Sequence, residues 1–311
     1  MSNIRTVFET VEMTVSLLGL AFNLFQFYLI AKHTTPAVKP YSPILYQNSV
    51  IDCIYIFAAL ISRIQADVRN GIVFYTLQVP YFKNQEVVLL SATFWIFSIA
   101  FYVSGVPVQF VYRYLYIIRF IKVPKIVHMS MLFIAGLVSY LICSFYYLAF
   151  RDSPNIAAKS IQILQVSDGP SNTTFQMLSS YVTNIYLAIY LGLACLALIL
   201  SGIIILIATV LFAKHINRNY EVMSQSTREA SAQVTIILIV QTAVPVFVCI
   251  ILVTFVFQVF LSLNSSTISM IIIPVVSFFP MLNSILVIYF MKSYRTFIAQ
   301  KLLGIYATLL P

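Results

Sequence analysis

"SPILYQNSVIDCIYIFAALIS", residues 42–62, settles the class of the molecule. The run is too long and too apolar for the core helix of a soluble domain, yet it keeps one carboxylate, Asp52. A bilayer core asks for about 20 apolar residues per helix, and this run satisfies that length. The rest of the chain agrees. Of its 311 residues 61% are hydrophobic and 9% charged, with a mean hydropathy of +0.95. A soluble domain of this size would need far more charge to cover its surface. The chain is therefore expected to be all-α, a bundle of membrane-spanning helices in one domain.

Seven runs are long enough to cross: roughly 11–31, 42–62, 87–112, 126–150, 181–213, 234–262 and 268–291. The fifth is long enough for its inner end to project from the membrane. Orientation follows from the Lys and Arg bias of the short loops. The loops after the first, third and fifth runs, with the tail, hold twelve of the 18 basic residues, so that side is expected to be cytoplasmic and the N-terminus outside. The two N-x-S/T sequons, at Asn172 and Asn264, both fall in outer loops, and Asn172 in the longer one is the expected glycosylation site. The start lacks a cleavable signal pattern, so the first run is expected to remain as an anchor. The net charge of +9 is spread singly between apolar runs, which fits membrane boundaries and not nucleic acid. All four cysteines lie inside apolar runs, without metal spacing, and neither an outer disulfide nor a cofactor is expected.

An acid at mid-helix costs about 2.5–3.5 kcal/mol to insert, so Asp52 should face the interior and have partners. It lies roughly 15 Å from the inner boundary at 1.5 Å of rise per residue. Asn23 and Asn283 lie roughly 12 Å from that boundary by the same arithmetic, in the same slab. Asn48, four residues before Asp52, shares its helical face. The expected arrangement is a buried polar switch in which these amides donate to the carboxylate. Pro107, Pro245, Pro274 and Pro280 lie within the third, sixth and seventh runs and supply bending points.

Asn23, Asp52 and the stretch Asn283–Tyr289 resemble the polar core of G-protein-coupled receptors. "TTPAVKPYSPILYQNSVID" (34–52), "VYRYLYIIR" (111–119), "QTAVP" (241–245) and "PMLNSILVIYFMKSYR" (280–295) resemble the nematode serpentine chemoreceptors of the Str superfamily, class delta in particular. The resemblance implies a receptor of the plasma membrane of a sensory cell, its cilium included. It would bind a small-molecule cue such as an odorant from outside and signal to a heterotrimeric G protein. By it, Arg113 would anchor the inner end of span three and meet the G protein, Pro245 would be the hinge of span six, and Asn283 and Tyr289 the inner switch of span seven, with Pro280 a second hinge. The sequence departs from the common receptor pattern in three places. Ser284 stands where a proline would follow the asparagine, no acid precedes Arg113, and no cysteine pair ties the outer loops.

The inner side is basic: "RYLYIIRFIKVPK" (113–125) has four positive and no negative residues. Arg113, Tyr114, Arg119 and Arg228 are the expected G-protein-facing residues. The tail "YRTFIAQKLLGIY" (294–306) spaces its apolar residues as a short interfacial helix. Outside, Phe94, Trp95, Ser98, Tyr186, Tyr190, Phe255 and Phe278 are expected to line an aromatic cavity suited to a small, mostly apolar ligand. Glu12 and Glu86 lie near the outer boundary, where a solvated carboxylate is the default. The main rival reading is a transporter of a small solute, but the internal echo of a repeated half is missing. The last run has no lysine for a retinal Schiff base, and no HExxH, GxSxG or Walker-type loop points to an enzyme.

Overall fold

In the computed structural model, the described residues are 2–36, 38–77, 84–119, 121, 123–153, 156, 176–219, 236, 250, 253–255, 257–258 and 266–309. Pro245, Arg228, Asn172 and Asn264, and most of the expected sixth span, lie outside them.

The elements in chain order are α1 (Ser2–His33), α2 (Ser42–Ser62), β1 (Ile64–Arg69), β2 (Ile72–Leu77), α3 (Gln85–Arg113), α4 (Lys125–Phe150), β3 (Gln176–Tyr181), α5 (Ile185–Asn219), α6 (Ser266–Phe290) and α7 (Lys292–Leu309). Helix α6 therefore holds the seventh of the expected spans. Among the described residues, five helices are long and apolar enough to cross a membrane, and the bent pair α6–α7 would add a sixth. Their outer faces carry Ile126, Phe133, Tyr140 and Leu206, each exposed by more than half. Such a surface would aggregate in water and is at home against acyl chains.

Local chemistry fixes the helix ends. Pro43 occupies the first turn of α2, where its missing N–H costs nothing. At the other end Arg63 turns left-handed, and its N–H reaches back to Ala59 O at 2.9 Å. Asn84 caps α3 by accepting from the Glu86 N–H at 2.9 Å. Asn184 accepts from the Tyr186 N–H at 2.9 Å and donates to Ala149 O and Ser180 Oγ, both at 3.1 Å. One amide thereby joins the start of α5 to the end of α4 and to β3. Pro107 leaves the Val103 carbonyl without its usual helical donor, and Ser201 Oγ of α5 donates to that carbonyl at 3.3 Å. In lipid such a substitute donor matters, because no water can supply one.

Helix α3 is the hub, packing on α2, α4 and α5, while α1 packs on α2 and α6. Gly105 allows the closest approach: a Cβ there would stand 2.7 Å from Ile51 Cδ1 of α2. At the C-terminal end of α6 the chain turns by 85° into α7. The tail helix docks on α1, with Tyr294 fully buried. The Tyr294 hydroxyl is 2.9 Å from Thr34 Oγ1, and Phe297 stacks on His33 at 3.7 Å.

The loops that follow α2 and α4 form a small sheet, which the helical expectation did not include. β1 and β2 are an antiparallel hairpin turning at Asn70 (φ 50°) and Gly71 (φ 72°), and β3 from the next outer loop pairs antiparallel to β2. Asparagine followed by glycine suits this turn, because both positions need positive φ. Val73, Tyr75 and Leu77 point into the bundle core, whereas Ile72 and Phe74 meet Met177 and Ile156 on the other face. These two loops are thus tied by a hydrogen-bonded ladder. Cys53, Cys143 and Cys195 are free thiols.

Candidate functional site

The centre of the bundle is a junction of three helices. Asn283 of α6 points its Nδ2 at Asp52 of α2, 3.3 Å from Oδ1 and 3.4 Å from Oδ2. The same nitrogen donates to the Tyr102 hydroxyl of α3 at 2.6 Å. Asp52, Asn283 and Tyr102 are all buried. An amide nitrogen has two hydrogens, and here one is shared across the carboxyl oxygens while the other serves the phenol. The expected Asp52–Asn283 pair is present, and Tyr102 joins it. The depth arithmetic that places the asparagines also reaches Tyr102, which lies about ten residues, or roughly 15 Å, from the inner end of α3.

Two other members of the expected switch go elsewhere. Asn23 is fully buried, but its Nδ2 donates to Gly19 O at 2.9 Å and to Pro280 O at 3.2 Å. It fastens α1 to the α6 backbone and not to the carboxylate. Asn48 accepts from Gln109 Nε2 at 2.6 Å, which ties α2 to α3 one turn nearer the inner face. Tyr289 is a clear correction, since it is 60% exposed on the outside of the bundle and meets Phe290 edge-on. Its ring is amphipathic and faces the lipid side, so it takes no part in the cluster.

Beside Asn48, Gln47 Nε2 donates to Gly105 O at 2.8 Å, and Gln47 Oε1 lies 2.8 Å from His128 Nε2. Because that oxygen only accepts, His128 Nε2 carries the proton it donates. These bonds lock α2, α3 and α4 together. Toward the outer face, Glu12 is buried and not solvated as expected: its Oε1 accepts from Ser277 Oγ at 3.4 Å. Ser277 in turn lies 3.3 Å from the Tyr55 hydroxyl.

The inner residues divide. Arg113, expected to face the G protein, is 3% exposed, with its guanidinium 3.8 Å above the Phe212 ring of α5. A cation this buried is stabilised against the negative face of a ring, worth about 2 kcal/mol when desolvated. Helix α5 therefore covers Arg113. Tyr114 begins a one-turn π-helical segment, Tyr114–Ile118, and is half-buried. Arg119 is exposed and reaches the Tyr114 hydroxyl at 3.3 Å.

The outer aromatics do not share one environment. Trp95 and Phe255 are buried, Phe94 and Phe278 half-buried, and Tyr186 is exposed on α5. Ser98 is buried, but its hydroxyl donates to Trp95 O of its own helix at 2.7 Å. Tyr190 stacks edge-on with Tyr146 at 5.4 Å, and Tyr146 meets Tyr75 of β2 at 5.5 Å. That cluster packs α4 and α5 beneath the sheet, and burial pushes the Tyr75 phenol well above its ordinary value, so it stays neutral. Beneath these residues, a cavity between Tyr55, Tyr102, Val103, Val276, Phe279 and Pro280 has about 10 Å³. Such a space would at most admit one water.

A search of curated proteins returned no match. Residues 8–300 match the family model described as "Serpentine type 7TM GPCR chemoreceptor Srd". The apolar helical bundle is consistent with the seven-helix architecture this description names, and the chain belongs to this Srd group of the nematode Str serpentine receptors.

Proposed function

We propose that this chain is a chemosensory receptor of the plasma membrane, its N-terminus outside. It binds a small, mostly apolar molecule among its outer helices and signals to a heterotrimeric G protein at its inner face. The observation that carries the reading is the buried Asp52–Asn283–Tyr102 junction, which links α2, α3 and α6 at mid-membrane. A polar contact of this kind in lipid gives a bundle two discrete arrangements, since each helix position either makes the bonds or breaks them. Agonist would favour the arrangement in which the sixth span swings about Pro245 and α5 withdraws Phe212 from Arg113. The guanidinium would then be open to the G protein, with Tyr114, Arg119 and Arg228 around it. Membership of a chemoreceptor family supports this reading.

The test is a panel of volatile and water-soluble cues applied to cells that report G-protein activation. The expected result is a response to at least one cue that disappears in Arg113→Ala at equal surface level. Solute uptake by the purified protein in liposomes, with no G-protein response to any cue, would move the assignment to a transporter. Orientation is tested through Asn172: the intact chain should carry a glycan removable by amidase, and Asn172→Gln should not.

A further inference from the structure

A second cavity, of about 790 Å³, opens at the inner ends of α1, α2 and α4. It is as large as many small-molecule sites, and Gln47 and His128 are among the residues that line it. Lys39, just before α2, and Lys125, the first residue of α4, line its mouth. Tyr46 and Val50 line it from α2, and Met129 and Leu132 from α4. Lys39, Lys125, Tyr46, Val50 and Met129 are exposed, so the groove opens to the outside of the bundle. No carboxylate lies among its described lining residues.

The order of these groups by depth identifies the occupant. Helices α2 and α4 both rise from the inner boundary, so the two lysines mark the headgroup level. Tyr46 and Met129 stand four residues beyond the first residues of α2 and α4, roughly 6 Å, and Val50 and Leu132 roughly 10–12 Å in. Positive charge at the boundary above an apolar wall running toward mid-membrane is the profile of one anionic lipid seen lengthwise. We propose that the groove is a binding site for an anionic glycerophospholipid. Its phosphate sits between Lys39 and Lys125, and one acyl chain lies along Tyr46, Val50, Met129 and Leu132. The leaflet is the one holding the 34–41 and 119–124 loops, cytoplasmic in the orientation proposed above. A lipid seated there bridges the first inner loop to α4 and braces the α2–α4 side of the bundle.

The test uses the full-length receptor purified into nanodiscs of equal parts phosphatidylserine and phosphatidylcholine with identical chains, then released for native mass spectrometry. Each boundary lysine contributes about fivefold toward an anionic lipid, so the pair should favour retained phosphatidylserine by about 25-fold. The preference should fall to near parity in Lys39→Gln/Lys125→Gln and survive in Lys39→Arg/Lys125→Arg. It should also fall in Val50→Trp, which fills the groove and leaves both lysines in place. Should the double glutamine variant not fold, each single variant should lose about fivefold. Equal retention of the two lipids by the parent protein overturns the proposal. So does a preference that disappears with the lysines yet ignores Val50→Trp, because that describes a diffuse surface field and not a seated lipid.

Discussion

Removing Asn283 should harm the protein more than removing the acid it serves. In Asn283→Ala the Asp52 carboxyl loses a donor that stands 3.3 and 3.4 Å from its two oxygens, and Tyr102 loses a 2.6 Å partner. A carboxylate at the centre of a spanning helix costs about 2.5–3.5 kcal/mol to insert, and without Asn283 nothing on α6 offsets any of it. In Asp52→Ala the group that is costly to bury is itself removed, while Asn283 keeps its bond to Tyr102. The double variant should therefore be more stable than Asn283→Ala alone, an inversion that simple loss of contacts does not produce. The Asp52–Asn283 bond is long against the usual N–H···O range, and polar pairs between membrane helices average about 0.6 kcal/mol, reaching about 1.7. We expect a coupling of about 1 kcal/mol between the two sites. Equilibrium unfolding in mixed micelles measures it, and the chain's one tryptophan is a convenient reporter. That residue, Trp95, is buried on α3, close to the Tyr55 side of the junction. An Asp52→Ala cost equal to that of Asn283→Ala, or effects that add to within about 0.3–0.5 kcal/mol, would refute a coupled acid–amide pair.

Tyr102→Phe removes the 2.6 Å bond that Asn283 of α6 makes to α3, and should raise agonist-free signalling several-fold at unchanged surface level. A basal signal equal to the parent's would dissociate the phenol from the switch. Phe212→Ala uncovers Arg113 and should likewise raise basal signalling, with about 2 kcal/mol of lost cation–π contact appearing as lower thermal stability of the silent receptor. A Cβ added at Gly71 would meet nothing within 4 Å, so the requirement there is backbone conformation and not space. Gly71→Val should therefore cost about 1–2 kcal/mol in unfolding experiments, while Gly71→Asn should cost much less.

Depth was legible in the sequence and direction was not. Rise along a helix is fixed at about 1.5 Å per residue, so Asp52, Asn283 and Asn23 could be put in one slab from numbering alone. Which way each side chain points round its helix depends on packing, and there Asn23 turned to the Pro280 carbonyl and Tyr289 to the outside. Tyr102 lay at the right depth, but in a chain with 20 tyrosines an aromatic residue gives no polar signal of its own. The hairpin was written plainly as "DVRNGIVF" (67–74), alternating residues about an Asn-Gly turn. Reading outer loops for charge alone passes over it. Glu12 could not be placed, because a carboxylate one turn from the boundary is solvated or buried according to a neighbour, here Ser277, that lies 265 positions away.

The polar bonds also divide the bundle into a firm part and a looser one. Helix α2 presents Asn48, Asp52 and Tyr55 on one face, at spacings of four and three. Its inner bonds to α3 and α4, through Gln47 and Asn48, run from 2.6 to 2.8 Å. Its bonds to α6, through Asp52 and Tyr55, run from 3.3 to 3.4 Å, and the bonds from α1 to α6 are 3.2 and 3.4 Å. Helices in lipid lack a hydrophobic drive to associate, so polar bonds and close packing set how firmly each neighbour is held. Helices α2, α3 and α4 thus form a block against which α6 is held by long contacts and by one short one, Asn283 to Tyr102. Among the described residues that is the shortest bond from α6 to the block, and in the proposed switch a movement of α6 would have to break it. In the function proposed above, the threshold for switching would then lie at mid-membrane, between the end of the bundle where a ligand would arrive and the end where Arg113 lies beneath Phe212.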